Sequence, residues 1–380
     1  MKILHVISGL RLTAGGPPLS VSLTVLGLKK IGIEADLLAY DILSADDQNI
    51  ISGDFVHLLP APKEKRFVYS PHLKEWLTKH QDYDLYHAQG VWQYPTFATA
   101  SFAREMDKPY IITPRGMLYP QIFKNNPMAK SLLWNFGLKK DVQKAACVHV
   151  TCVEEMEHLR NRGITSPMAV IPNPVDVAQL AAKEIVIKDG VFRIGYLGRI
   201  DPRKNIDRLI TAWAALGEKV KDGELLIIGA GDVAHHEALK AQAKRLGLTN
   251  VKFTGFLSGQ EKEDAINSLS YLVVPSDFEN FGMIVAEALM HGVPVMASKG
   301  TPWQELDSHN CGWWIDNDTD TIKNTLINAL EVPEERRQQM GKNGKALILQ
   351  HYSKDVIAAK MKRLYEWLLI DGPKPDFVYN

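Results

Sequence analysis

Tyr271-Leu272-Val273-Val274-Pro275-Ser276-Asp277-Phe278-Glu279-Asn280-Phe281-Gly282-Met283-Ile284-Val285-Ala286-Glu287-Ala288-Leu289-Met290-His291-Gly292-Val293-Pro294-Val295-Met296-Ala297 holds two β-rich runs around one helical run. The pattern predicts a strand over Tyr271–Pro275, a helix starting near the N-cap residue Asn280, and a strand over Val293–Ala297. Two apolar strands joined through a helix form a parallel unit, because a parallel pair needs a long crossover.

The same grammar runs outward in both directions. Upstream in the second half lie β-rich runs at Phe192–Leu197, Glu224–Ile228 and Val251–Thr254, and Ile206, Leu209, Ile210 and Trp213 keep helical spacing between the first two. The first half repeats it with Ile3–Ser8, Glu34–Tyr40, Asp84–Ala88, Pro109–Pro114, Cys147–Cys152 and Met168–Pro172, and with amphipathic stretches such as Leu19–Lys30 and Pro127–Ala146. The expected fold class is therefore α/β, with two doubly wound Rossmann-like domains facing a central cleft. Their expected bounds are 1–173 and 174–353, with a hinge in about Asn173–Gly190. Long helical patterns over Glu334–His351 and Lys354–Ile370 end the chain, and the segment at about 354–380 is open to packing back on the first domain.

With 380 residues the chain is too long for one typical core. Lys plus Arg and Asp plus Glu both count 44, so no charge excess draws it toward nucleic acid. Cys147, Cys152 and Cys311 are too few for a disulfide framework, which suits a reducing cytoplasm. Cys147, His149 and Cys152 lie on an apolar strand that sends them to different faces, so core packing is preferred over a zinc site. The apolar run Ile3–Ile7 is too short for a signal peptide, and no run reaches bilayer length. The expected location is cytoplasmic, with peripheral contact at the inner membrane face left open.

In doubly wound sheets the chemistry sits after the strands. Gly15 and Gly16 follow the first strand and lead into a helix, a place where backbone N–H groups meet anions. Gly198 and Arg199 follow Leu197, with Lys204 at the next helix start, where a cation opposes the helix dipole unless an anion binds. Gly229-Ala230-Gly231-Asp232-Val233-Ala234 matches the dinucleotide fingerprint G-x-G-x-x-A, but the following strand ends at Gly255 and Phe256 without the ribose-binding carboxylate. Gly255 and Phe256 are instead candidates for the border of a base pocket. On a helix from Asn280, Glu279 would stand at the mouth and Glu287 about 12 Å further on. That separation suits the two ends of a nucleotide sugar. Glu287 in its apolar run also needs a hydrogen-bond donor, whether ribose or protein. In the first half His87, Gln89 and Trp92 end one strand, giving candidates on the acceptor side, and Arg115 ends another, a catalytic candidate beside Arg199, Lys204 and Glu279.

These residues resemble glycosyltransferase family 4, retaining enzymes of the GT-B fold. The likeness is carried by Gly198-Arg199 with Lys204, by Pro275-Ser276, by Glu279 and Glu287 around Phe281-Gly282, and by His291-Gly292-Val293-Pro294-Val295. Pro172-Asn173-Pro174-Val175-Asp176 looks like the family's domain link. The resemblance implies that Arg199 and Lys204 bind the donor diphosphate with help from the amides around Asn280, Phe281 and Gly282. It implies that Glu287 binds the ribose and that Glu279 contacts the donor sugar. Transfer would retain the anomeric configuration without a metal or other cofactor, the nucleotide sugar being a co-substrate. Arg115 stands where many members have histidine, and would add charge beside the diphosphate or recruit an anionic group. Gln89 also replaces a frequent histidine.

The expected function is transfer of a sugar from a UDP- or GDP-sugar to a hydroxyl of a glycan or lipid-linked glycan, in surface polysaccharide or glycolipid synthesis. A nucleotide-sugar epimerase, a nicotinamide-dependent dehydrogenase and a catalytically quiet binding protein are the alternatives. Met117–Lys140, apolar and lysine-bearing, reads first as an amphipathic core helix and second as a face toward a membrane.

Overall fold

The computed structural model describes residues 1–11, 15–41, 48–64, 66–124, 126–177 and 190–380. They divide into two compact units, Met1–Asp176 with Tyr352–Asn380, and Val177–His351. Most of the expected hinge, residues 178–189, and Leu12–Ala14 of the first glycine loop lie outside the described residues.

In the first unit the parallel strands are β1 Lys2–Val6, β2 Glu34–Tyr40, β3 Val56–Leu59, β4 Leu85–Gln89, β5 Tyr110–Thr113, β6 Cys147–Val150 and β7 Met168–Val170. They lie in the order β7-β6-β5-β4-β1-β2-β3, and Val378–Tyr379 adds antiparallel to β7. Alternate side chains feed two cores. Leu4, Val6, Tyr86, Ala88, Ile112 and Val148 enter one, while Ile3, Leu85, Ile111, Cys147 and Ala169 enter the other. Burial on both faces is why these strands read as continuous apolar runs.

Helix α1, Gly16–Lys30, and the terminal helix Lys354–Leu369 pack together on the second core through Val25, Leu28, Ile357 and Met361. A Cβ on Gly27 would stand 2.9 Å from the Lys354 carbonyl oxygen, so the contact needs glycine. Helix α2, Pro127–Leu133, continues through a π-type turn over Trp134–Leu138 on the other side of the sheet.

The second unit has the strands β8 Arg193–Leu197, β9 Glu224–Ile228, β10 Val251–Gly255, β11 Tyr271–Val274, β12 Val295–Ser298 and β13 Gly312–Ile315. All pair in parallel, in the order β10-β9-β8-β11-β12-β13. Helices α3 Ile206–Ala214, α4 Gly259–Ser268 and α5 Met283–Met290 matter for the site. The strand order reverses between β1 and β4 and again between β8 and β11, and such reversals open a crevice at the carboxyl ends of the strands.

The fold class is as expected, with one local correction that bears on chemistry. Helix α5 starts at Met283, not near Asn280, and its N-cap is Gly282 with φ 78°. The Trp303 indole donates to the Phe281 carbonyl, and the two rings pack 5.2 Å apart. That burial holds Phe281 outside the helix, and Gly282 makes the left-handed turn that L side chains rarely adopt.

Candidate active site

The crevice between β8 and β11 is built by two loops locked together. After β8, the Gly198 N–H bonds the Ile228 carbonyl at 2.9 Å, and the Tyr196 hydroxyl takes the Arg199 carbonyl at 2.7 Å. Arg199 itself is exposed. A short 3₁₀ turn, Pro202–Lys204, follows, capped by the Asp201 carboxylate. Asn205 then adopts φ 50° and spans to the β11 loop, donating to the Pro275 carbonyl at 3.0 Å and to Asp277 at 2.7 Å.

This lock turns Lys204 inward, where 8% of its surface remains exposed. Its ammonium is ion-paired with Glu279. Ser276 donates to the same carboxylate oxygen at 2.8 Å, and the Glu279 N–H is held by the Gly300 carbonyl at 2.8 Å. A Cβ on Gly300 would lie 2.2 Å from the Asp277 carbonyl oxygen, so this support also requires glycine. The structure thus brings together Lys204 and Glu279, 75 residues apart in the chain, at the point of strand reversal. Ser276 carried part of the family likeness, but the bonds that Ser276, Asn205 and Gly300 make here were not read from the sequence, since they are contacts between loops.

Glu279 therefore precedes α5 by a loop instead of standing at its mouth, and Glu287 sits about one turn inside. The 12 Å estimate assumed one continuous helix, and the loop before Met283 removes that basis. Glu287 already has an ion-pair partner in the protein, Lys262 on α4, 2.7 Å from Oε2, although that buried oxygen accepts no hydrogen bond. Both side chains are partly exposed, at 31% for Lys262 and 23% for Glu287, so the pair borders solvent. Lys262 carried no motif; only the packing of α4 beside α5 discloses it.

The glycine pair after β9 has a structural explanation. A Cβ on Gly229 would fall 1.8 Å from the Gly198 carbonyl oxygen, and one on Gly231 would fall 2.0 Å from that of Ile200. The Ile200 N–H bonds the Ala230 carbonyl at 3.0 Å, so this loop rides directly on the Arg199 loop. The match to a dinucleotide fingerprint reflects backbone contact and lends the dehydrogenase alternative no support. Gly255, with φ 75°, accepts from the Gly229 N–H at 2.8 Å, and the Phe256 ring is 64% exposed.

In the first unit the candidates enter a buried polar chain. Arg115 donates through Nε and Nη2 to Gln89 Oε1 at 3.0 and 2.7 Å, and through Nη1 to Ser20 and, at 3.2 Å, to Asn173. Gln89 Nε2 then meets His5 Nδ1 at 3.3 Å, and His5 Nε2 meets the Tyr365 hydroxyl at 3.2 Å. Tyr365 reaches His87 Nδ1 at 3.0 Å, and His87 Nε2 reaches Thr113 at 2.6 Å. Thr113 meets His149 Nδ1 at 3.0 Å, and His149 Nε2 ends on the Ile171 carbonyl at 2.8 Å.

A guanidinium can only donate and a carbonyl can only accept, so the chain has one consistent direction, with each histidine neutral and protonated on Nε2. Burial holds His5 and His149 down at about 3 and His87 well below the usual histidine range, and it lowers the Arg115 guanidinium to about 10.

This corrects two expectations. His87 is fully buried with both ring nitrogens occupied, so it offers nothing to an acceptor. Arg115 spends four N–H groups inside its own unit, held in a left-handed turn at φ 55°. Its cation braces the loops and does not stand ready for a diphosphate. His149, considered for metal, has both nitrogens engaged by protein. Trp92 donates to the Met117 carbonyl at 2.9 Å and stacks edge-on to Phe123, while Gly15 caps α1 with φ 85°.

Comparison with known proteins agrees with this architecture. The family description "Glycosyl transferase 4-like domain" matches residues 15–174, and "Glycosyl transferases group 1" matches residues 179–347. The chain is 25% identical over 360 residues to the uncharacterized glycosyltransferase MJ1178 of Methanocaldococcus jannaschii, covering 93% of this chain and 95% of that protein. It is 29% identical over 212 residues to the phosphatidyl-myo-inositol mannosyltransferase of Mycobacterium leprae, a match spanning 54% of each. The solved structure of Anabaena Alr3699/HepE in complex with UDP superposes with a TM-score of 0.72 at 18% identity, covering 96% of this chain and 100% of that one. The chain belongs to the family 4-like glycosyltransferases of the GT-B fold.

Proposed function

We propose that this glycosyltransferase takes its sugar from a nucleotide-diphosphate sugar, UDP- or GDP-linked, and passes it with retention to a hydroxyl of a glycan or lipid-linked glycan. The observation that carries the reading is the Lys204–Glu279 pair at the strand reversal of the second unit. A diphosphate entering there meets a buried ammonium whose remaining N–H groups can bind oxygen anions, at roughly 1.5–3 kcal/mol for each charge-assisted bond. Arg199, exposed on the adjoining loop, supplies a second cation, and the first N–H groups of α5, which have no partner within the helix, supply further donors.

The same groups serve the chemistry. As the bond from the anomeric carbon to the diphosphate oxygen breaks, negative charge grows on the leaving group, and Lys204 and Arg199 stabilise it. The acceptor oxygen bonds the anomeric carbon on the face being vacated and passes its proton to a diphosphate oxygen. Glu279, fixed by Ser276 and Gly300, holds a sugar hydroxyl and keeps Lys204 aimed. Glu287 exchanges Lys262 for ribose hydroxyls or shares itself between them. UDP in the Anabaena structure and the phosphatidyl-inositol acceptor in the mycobacterial enzyme's name support the donor and acceptor classes. The test is turnover of a panel of UDP- and GDP-sugars with a glycan or lipid-linked acceptor. Wild type should release nucleoside diphosphate and Glu279→Gln should not; release by neither would refute the reading.

A further inference from the structure

We propose that Lys262 is a nucleotide-binding residue, the donor half of a clasp with Glu287 that reads the two hydroxyls of a ribose. The proposal rests on the reading that places Glu287 at the ribose, and extends it to a lysine that no motif marked. Helix α4 follows β10 and α5 follows β11, so both helices start at the carboxyl edge of the second sheet. Lys262 is the fourth residue of α4 and Glu287 the fifth of α5, each near its helix start. Two polar rungs join the helices. Lys262 Nζ lies 2.7 Å from Glu287 Oε2, and His291 Nδ1, just past the end of α5, meets Asn267 Oδ1 at 2.8 Å. The second rung holds the helices side by side and so sets the first.

Two features set the Lys262–Glu287 rung apart from an ordinary surface ion pair. Glu287 Oε2 is buried and accepts no hydrogen bond, although the ammonium stands beside it. A buried carboxylate oxygen without a donor costs free energy, which a ligand hydroxyl would relieve. A cation near a helix start also opposes the helix dipole, and a partly exposed pair adds little stability in return. Hydrogen-bond arithmetic then names the ligand. A carboxylate only accepts and an ammonium only donates, whereas each hydroxyl of a diol does both. Glu287 takes the O–H groups of the diol, and the Lys262 N–H groups not turned to Glu287 take its oxygens. An anion would be repelled by Glu287 and a cation by Lys262, so the pair selects a neutral polyol. Ribose is the polyol that a nucleotide brings.

The test is calorimetric titration of the full chain with UDP and GDP, with the 2′-deoxy and 3′-deoxy forms of whichever binds better, and with pyrophosphate. Wild type should bind the deoxy forms about ten- to a hundredfold more weakly than the parent nucleotide. Lys262→Met should weaken the parent roughly tenfold, leave at least one deoxy form within about threefold of its wild-type affinity, and leave pyrophosphate unchanged. Glu287→Gln should also shrink the preference for the parent. Because the pair is partly exposed, both variants should keep the wild-type thermal unfolding midpoint. A preference that Glu287→Gln reduces and Lys262→Met keeps whole would overturn the proposal and leave Glu287 at the ribose. A preference that neither variant alters, or wild type that binds neither nucleotide, would overturn both readings. Equal losses for nucleotide and pyrophosphate in Lys262→Met would overturn the proposal by making the lysine a general cation. Tighter nucleotide binding in that variant would overturn it by making Lys262 an internal competitor for Glu287.

Discussion

Tyr365 on the terminal helix donates its hydroxyl to His87 on β4, 278 residues earlier in the chain, at 3.0 Å. The bond fastens the returning helix to the centre of the first sheet, inside the polar chain that runs from Arg115 to the Ile171 carbonyl. Every member of that chain is satisfied only while the histidines are neutral.

Acid should therefore destabilise the first unit. His5, His87 and His149 have folded-state values far below the ordinary 6.5, so the unfolded chain binds more protons as pH falls below that value. Their contribution is full above about pH 6.5 and is lost as pH falls toward 3, at up to about 1.4 kcal/mol per pH unit for each histidine. Buried Glu155 and Asp141 have their values raised and act in the opposite sense, two groups against three. Calorimetric unfolding should show a falling midpoint between about pH 7 and pH 5; a flat midpoint would contradict the neutral chain.

Gly229→Ala and Gly231→Ala should each cost about 1–3 kcal/mol or more of stability, because the new methyl group meets the backbone of the Arg199 loop. They should also weaken nucleotide binding by displacing that loop. Thermal unfolding with and without UDP measures both effects. Normal stability in both variants would return the glycine motif to a ligand-binding role.

Glu287→Gln should weaken binding of a nucleoside diphosphate by about tenfold or more and leave inorganic pyrophosphate little changed, since the carboxylate is assigned to ribose. Lys262→Met should change stability by less than about 1 kcal/mol, the pair being partly exposed. Competition binding with UDP, GDP and pyrophosphate makes the comparison. Equal losses for nucleotide and pyrophosphate would remove Glu287 from the ribose.

The architecture was legible because both sheets are buried on two faces, which writes each interior strand as an apolar run. Val56–Leu59 and Gly312–Ile315 escaped notice as short edge strands with no long run of their own, and Val378–Tyr379 as a two-residue pairing. Arg199, Lys204 and Glu279 were visible as residues following strands. The pairing of Lys204 with Glu279 was not, because it depends on Asn205 and Ser276 reaching between loops. The start of α5 was misread because a good N-cap residue, Asn280, lost to the burial of Phe281 against Trp303. Arg115 read as a ligand-facing cation because its partners Ser20, Gln89 and Asn173 are remote in sequence. The helix at Pro127 is apolar on both sides, so periodicity put the core reading first and the outward-facing one second, and only packing shows that Met128, Leu132 and Phe136 are exposed.

Glu279→Gln should separate binding from transfer. Loss of the carboxylate charge leaves Lys204 for phosphate oxygens, so UDP or GDP binding should persist or tighten. Sugar transfer should fall by at least about a hundredfold. Equal loss of binding and transfer would mean that the pair is only structural.

The account rests on Lys204, aimed by Glu279, giving its remaining N–H groups to a diphosphate, and calorimetric titration tests it most directly. UDP and GDP, with a nicotinamide dinucleotide alongside, are titrated into wild type and Lys204→Met. Wild type should bind one of the nucleoside diphosphates best, and Lys204→Met should weaken it by roughly ten- to hundredfold. Preference for the nicotinamide dinucleotide, or equal affinity in the variant, would contradict the assignment.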